Sequence, residues 1–147
     1  MAAGAWTKFD KAVYYGMIGT IDYDDAGAGI FKCALLADTY TPDTTDDTWA
    51  DLSAHDLGTA NGYTAAGVAL TSVTYTNATG TDTWDCDNPT WTAAGGSIGP
   101  AKYAVMYHVA SGKLICYCEL EVGSTKTATT GNDFVIQNST SGVYSIT

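Results

Sequence analysis

Lys102-Tyr103-Ala104-Val105-Met106-Tyr107-His108, then Val109-Ala110-Ser111-Gly112, then Lys113-Leu114-Ile115-Cys116-Tyr117-Cys118-Glu119-Leu120-Glu121-Val122 is the stretch that settles the fold class. Both arms are apolar runs of strand length, rich in Tyr, Val and Ile. The Ser111-Gly112 step between them has turn chemistry. The stretch therefore predicts an antiparallel hairpin over 102–122. Side chains alternate across a strand, so Cys116 and Cys118 must share one face.

Toward the C-terminus, polar residues 123–133 lead to Phe134-Val135-Ile136-Gln137, and Gly142 opens a last strand, Val143 to Thr147. Toward the N-terminus, Ala93 to Pro100 reads as small and flexible, and Thr81 to Trp91 holds Trp84, Trp91 and an edge-marking Pro89. Between Tyr63 and Thr76, Val68 and Leu70 alternate with polar residues, and Val73 and Tyr75 do so out of phase. The slip near Ser72 predicts a bulge or a strand break. Residues 38–62 form a polar stretch too long for a hairpin turn, in which Trp49 and Leu52 could pin a short irregular helix capped by Thr48 or Asp51. Ile30 to Leu36 is another apolar run of strand length.

The one helix expected spans Thr7 to Met17. Phe9, Val13 and Met17 recur every four residues, Thr7 is placed to cap the start, and Gly16 and Gly19 close the end. About seven or eight short strands separated by turns then predict a mainly β chain, an antiparallel sandwich or jelly-roll-like barrel with one short N-terminal helix. Its 147 residues read as one domain (1–147) with an N-terminal arm and helix over 1–19.

Composition narrows the function. The chain has 6 Lys, no Arg and 16 acidic residues, a net charge of −10. Nucleic-acid binding needs cations to neutralise phosphates, and an anionic membrane surface attracts cations too, so neither partner is expected. The first residues, Met1 to Trp6, lack the charged and apolar regions of a secretory signal, and no apolar run reaches membrane-spanning length. A soluble chain with reduced thiols is the expectation for Cys33, Cys86, Cys116 and Cys118.

No nucleotide-binding loop occurs. His55 lies in a polar loop and His108 ends a strand. The C-x-C pair lacks the turn spacing of zinc sites, so small buried hydrophobes are the better reading of the thiols. The acidic groups Asp22/Asp24/Asp25, Asp43/Asp46/Asp47/Asp51 and Asp82/Asp85/Asp87 do not follow the EF-hand pattern. A glycosidase pair could be imagined among them, but nothing picks one out. The expectation is no enzyme, no metal and no cofactor. Aromatics remain, with 10 Tyr and 4 Trp in a chain only 15% charged. Those in loops suit a protein or a glycan interface.

The order of segments resembles a family of small tailed-phage virion proteins, the head decoration (cement) proteins. The matching stretches are Phe9-Asp10-Lys11-Ala12-Val13 with Gly19 to Asp22, Phe31 to Leu36 with Tyr40-Thr41-Pro42, Asp46 to Leu52, Gly62 to Leu70, Asn88 to Trp91 and Ala101 to Tyr107. Leu114 to Tyr117, Phe134 to Gln137 and Ser141 to Val143 complete them. The C-x-C pair and the longer polar stretch near 123–133 depart from the pattern. The resemblance implies a bacteriophage structural protein, made in the host cytoplasm and carried on the outer capsid surface. It would bind the major capsid protein, as a dimer or trimer on the lattice, and bridge neighbouring subunits. A tail or baseplate component, or a carbohydrate-binding module using loop Trp and Tyr, are the alternatives. On this reading the partner contacts are Trp6, Tyr14, Tyr40, Trp49 and Leu52, on the helix and the 38–62 loop, which reach farther than a compact sheet face.

Overall fold

The computed structural model describes residues 4–147. In chain order the elements are β1 (Thr7–Lys8), α1 (Ala12–Met17), β2 (Phe31–Leu36), α2 (Trp49–Leu52) with a 3-10 turn (Ser53–His55), β3 (Val68–Ala69), β4 (Thr74–Ala78), β5 (Thr81–Asp85), β6 (Thr90–Thr92), β7 (Ile98–Ala101), β8 (Tyr103–His108), β9 (Leu114–Glu119), β10 (Lys126–Ala128), β11 (Asp133–Val135) and β12 (Tyr144–Ile146). All pairings are antiparallel, and the chain is mainly β, as expected.

The expected hairpin forms the middle of a five-stranded sheet ordered β1-β9-β8-β2-β3. Tyr103 to Met106 pair with Glu119 to Cys116, and then Tyr107 pairs with Leu114, leaving Ile115 as an extra residue. That bulge lets Ile115 and Cys116 face the same side. β2 and β8 are buried almost throughout, because both faces of the sheet are covered.

Alternation along β8 sorts the two cores. Ala104 and Met106 enter the larger one with Cys33, Leu35, Cys116 and Cys118. Tyr103, Val105 and Tyr107 enter a second core with Ala34, Leu36 and Leu114. The larger core is closed by the three-stranded sheet β12-β5-β4 and the ribbons β11-β6 and β10-β7, which contribute Trp84, Trp91, Phe134 and Ile98. The second core is closed by residues 37–57, through Tyr40, Leu52 and the half-buried Trp49.

Three sequence expectations are corrected. Residues 7–17 are not one helix. Thr7 and Lys8 pair with Tyr117 and Cys116, Phe9 is buried in the second core, and α1 begins at Ala12. An extended start satisfies the backbone of 7–9 through β9, with the Phe9 N–H donating to Ile115 O at 3.0 Å, which a helix would forgo. The buried face of α1 is consequently Ala12 and Tyr15, while Met17 is exposed. The flexible stretch 93–100 and the polar stretch 123–133 each contribute half of the β7–β10 ribbon, hidden in the sequence by Gly and Thr. Of the N-terminal arm 1–19, residues 1–3 lie outside the described residues.

The slip near Ser72 is a strand break. β3 belongs to the main sheet and β4 to the three-stranded one, and Ser72 itself turns the chain with φ of 52°. Just before β3, Gly67 (φ 82°) lies so close to the Cys33 carbonyl that any Cβ would overlap it. The capping of α2 is as read, with the Thr48 N–H and Oγ–H donating to the Asp51 carboxylate at 2.8 and 3.0 Å.

Candidate interaction surface

Tyr14, Met17 and Ile18 stand at i, i+3 and i+4 on and just after α1, so they share a face. They are 55%, 84% and 54% exposed. The opposite face is anchored. The Tyr15 hydroxyl donates to Asp47 at 2.6 Å, and the Tyr23 hydroxyl donates to Ala12 O at 2.7 Å. The Tyr23 ring packs so close to Gly16 that a side chain there would displace it. Gly19, at φ 76°, ends the helix. A six-residue helix is therefore held rigidly while presenting three large apolar side chains to solvent.

Beside this face lies a groove of about 480 Å³, lined by Val13 and Met17 of α1 together with Ile21, Tyr23, Tyr75 and Ile146. Asp22 and Asp24 stand on its rim. Burial pushes the Tyr23 and Tyr144 hydroxyls well above the ordinary phenol range, so both stay neutral donors.

The five contacts expected from sequence separate. Tyr14 is exposed. Trp6 is half-buried against the larger core. Trp49 lies flat on Tyr107 with ring centroids 4.8 Å apart and planes at 9°. Tyr40 and Leu52 are buried in the second core and offer a partner nothing, which corrects their assignment. Tyr40 is held there by an edge-on contact with Tyr103 and by donating its hydroxyl to Asp46 at 2.9 Å. Met17 and Ile18 are the surface residues that the sequence reading missed. Their signal is an apolar pair directly before a helix-ending glycine, where no core face remains for it.

The other candidate chemistries resolve into local structure. Trp84 and Trp91 are buried, Trp84 with its indole N–H donating to Tyr23 O at 3.1 Å, so neither presents a sugar-stacking face. His108 Nδ1 and Ser111 Oγ, 2.7 Å apart, fasten the hairpin turn, and burial lowers the pKa of His108. His55 Nδ1 contacts Thr39 Oγ1 at 3.0 Å. Asp87 accepts from Ser72 and Thr71 hydroxyls at 2.6 and 3.0 Å, and Asp43 accepts from both Thr45 groups. These donors hold both carboxylates below their usual pKa. Asp47 accepts from Lys113 Nζ at 2.6 Å, with the same effect. Among the described residues no three His, Cys, Asp or Glu side chains gather as a metal-holding group.

All four cysteines are free and buried. Cys33 and Cys116 flank Met106 in one cross-strand row, and Cys118 lies opposite Ala104. Burial raises the thiol pKa values, to about 12 for Cys86 and Cys118.

No protein-family model, curated protein or solved structure matches the chain.

Proposed function

We propose that the chain is a virion structural protein that decorates and cements a phage head, gripping its partner through the exposed face of α1. The observation carrying this reading is the rigidly held Tyr14/Met17/Ile18 group. Three large apolar side chains on one anchored helix face are a docking surface in waiting, since exposed apolar clusters rimmed by polar groups mark interaction sites. The resemblance along the chain supports the virion assignment, and the net charge of −10 suits a surface away from packaged DNA. A ligand that binds only the mature shell stabilises that shell by mass action, and several copies around one axis multiply the effect.

Virions lacking the protein are the test. They assemble, and on heating they release DNA at a lower temperature than complete virions. Adding back the purified protein restores the release temperature. The variant carrying Tyr14→Ser, Met17→Ser and Ile18→Ser does not, although its own stability changes little, as expected for exposed positions. Equal DNA release with and without the protein, or full restoration by the triple variant, overturns the reading. Labelled protein imaged on the tail rather than the head overturns the head assignment.

A further inference from the structure

A second groove, of about 600 Å³, shares Tyr144 with the first and is lined by residues from near both ends of the described chain. Trp6 and Lys8 form one wall, while Asn138, Val143 and Ser145 form the other. Three features meet there.

The first is a pair of open strand edges. β1 is the outer strand of the main sheet and β12 the outer strand of the three-stranded sheet. Phe9 directs its N–H to Ile115 O, so in an antiparallel ladder the preceding Lys8 turns its N–H and C=O the other way. On β12 the same alternation applies. The two-residue Thr79-Gly80 turn closes the β4–β5 hairpin on the pair Ala78 and Thr81, so Asp82 and Trp84 direct their backbone groups toward Ile146 and Tyr144. Ser145, between them, turns its backbone groups outward. Lys8 and Ser145 both line this groove. Two outward-facing strand edges thus confront one space.

The second feature is unpartnered polarity. Four buried side-chain polar atoms among the described residues lack a hydrogen-bond partner, and two of them, Trp6 Nε1 and Asn138 Oδ1, belong to residues that line this groove and not the first. Buried polar atoms are nearly always paired, so a cluster of orphans marks a place where a partner is missing.

The third is charge. No Asp or Glu lines the groove, in a chain with 16 acidic residues, and its one charged lining residue is Lys8. Lys8 makes no ion pair among the described residues.

We propose that this groove accepts an extended polypeptide segment of a partner protein, added as a strand against β1 and β12, with acidic side chains set against Lys8. Short edges and an edge lysine also serve to discourage strand pairing. What distinguishes this place is that both edges open on the same groove, over orphaned polar atoms. The inference does not depend on the α1 surface, and its test uses no capsid.

The experiment is a titration of the 15N-labelled purified protein with blocked hexapeptides that alternate valine or threonine with glutamate. The controls are the same peptides with lysine for glutamate, and with N-methylated backbones. The expected result is saturable shifts of the Trp6 indole N–H and of the Lys8 and Ser145 amides. Affinity should fall roughly three- to tenfold for Lys8→Glu, the range of an exposed charge pair lost and then reversed. Ser145→Pro removes an outward donor without touching the β5 ladder, and binding is lost while the melting temperature holds. The proposal is overturned by an absence of shifts at millimolar peptide, by equal binding of the lysine or N-methylated peptides, or by undiminished binding to both variants. Saturable shifts from an oligosaccharide but not from the peptides would overturn it, as would self-association that Ser145→Pro abolishes.

Discussion

Cys116 and Cys118 show how far one residue can be read from its neighbours. Their spacing of two on a strand placed both on one face, and the structure finds them in the same core. Burial is also what raises their pKa values, because a thiolate has no solvation there. A thiol-specific reagent at pH 8 is therefore expected to label the native protein slowly and to count four thiols once denaturant is added. Rapid labelling of the native protein, or fewer than four thiols in the denatured protein, would contradict this packing. Tyr40 shows the opposite case. Its burial depends on Tyr103, distant in the chain, and on an Asp46 carboxylate that accepts a hydrogen bond from its hydroxyl. Nothing in the local pattern of a polar loop encodes either partner, so its assignment to the surface failed.

At the scale of elements, the strands with strong patterns were legible, and those made of Thr, Gly and Ala were not. β2, β8 and β9 carry apolar runs, whereas β7 and β10 derive their order from pairing with each other. The segment 7–17 misled because its four-residue apolar spacing also suits a strand followed by a turn and a short helix. The 38–62 loop also changes role. It covers one face of the main sheet, so its aromatic residue Trp49 is a lid on the second core. Trp49→Ala is expected to cost about 2–3 kcal/mol, below a fully buried Trp but including its stack on Tyr107. In a chain of this size that lowers the melting temperature by roughly 4–12 °C. Calorimetry of the purified variant checks it, and an unchanged melting temperature would contradict this packing.

For the whole molecule, charge sets a pH dependence whose sign can be worked out. Asp43, Asp47, Asp51 and Asp87 are all held below the usual carboxylate pKa, chiefly by hydrogen bonds from Thr45, from Lys113, from the Thr48 backbone and from Ser72. A carboxylate depressed in the folded state stabilises the fold above its unfolded pKa, and that stability is lost as pH falls through the folded value. Protonation also relieves the repulsion of the −10 net charge, which acts the other way. The hydrogen bonds prevail in this balance, because Asp47 ties 43–51 to Tyr15 and Lys113. Melting followed by circular dichroism should therefore be nearly level from about pH 7 to 5 and fall below about pH 4, near the ordinary pKa of a carboxyl group in an unfolded chain. Asp47→Asn should melt lower at neutral pH and show a shallower acid limb, and a limb as steep as the parent's would remove Asp47 from the account. The mainly β class and the single hairpin at its centre were legible in the sequence, since both follow from pattern. The two-core arrangement was not, because it depends on which distant segments cover each face.

β8 has neighbours on both sides and cover on both faces. Water reaches its amides only when the cores on both faces have come apart together. Fraying at the chain ends or in the loops leaves them untouched, whereas the outer strands β1, β3, β4 and β12 can open one at a time. Deuterium taken up at Val105 or Met106 is therefore a clock for the opening of the entire molecule, and uptake elsewhere in the chain times smaller events.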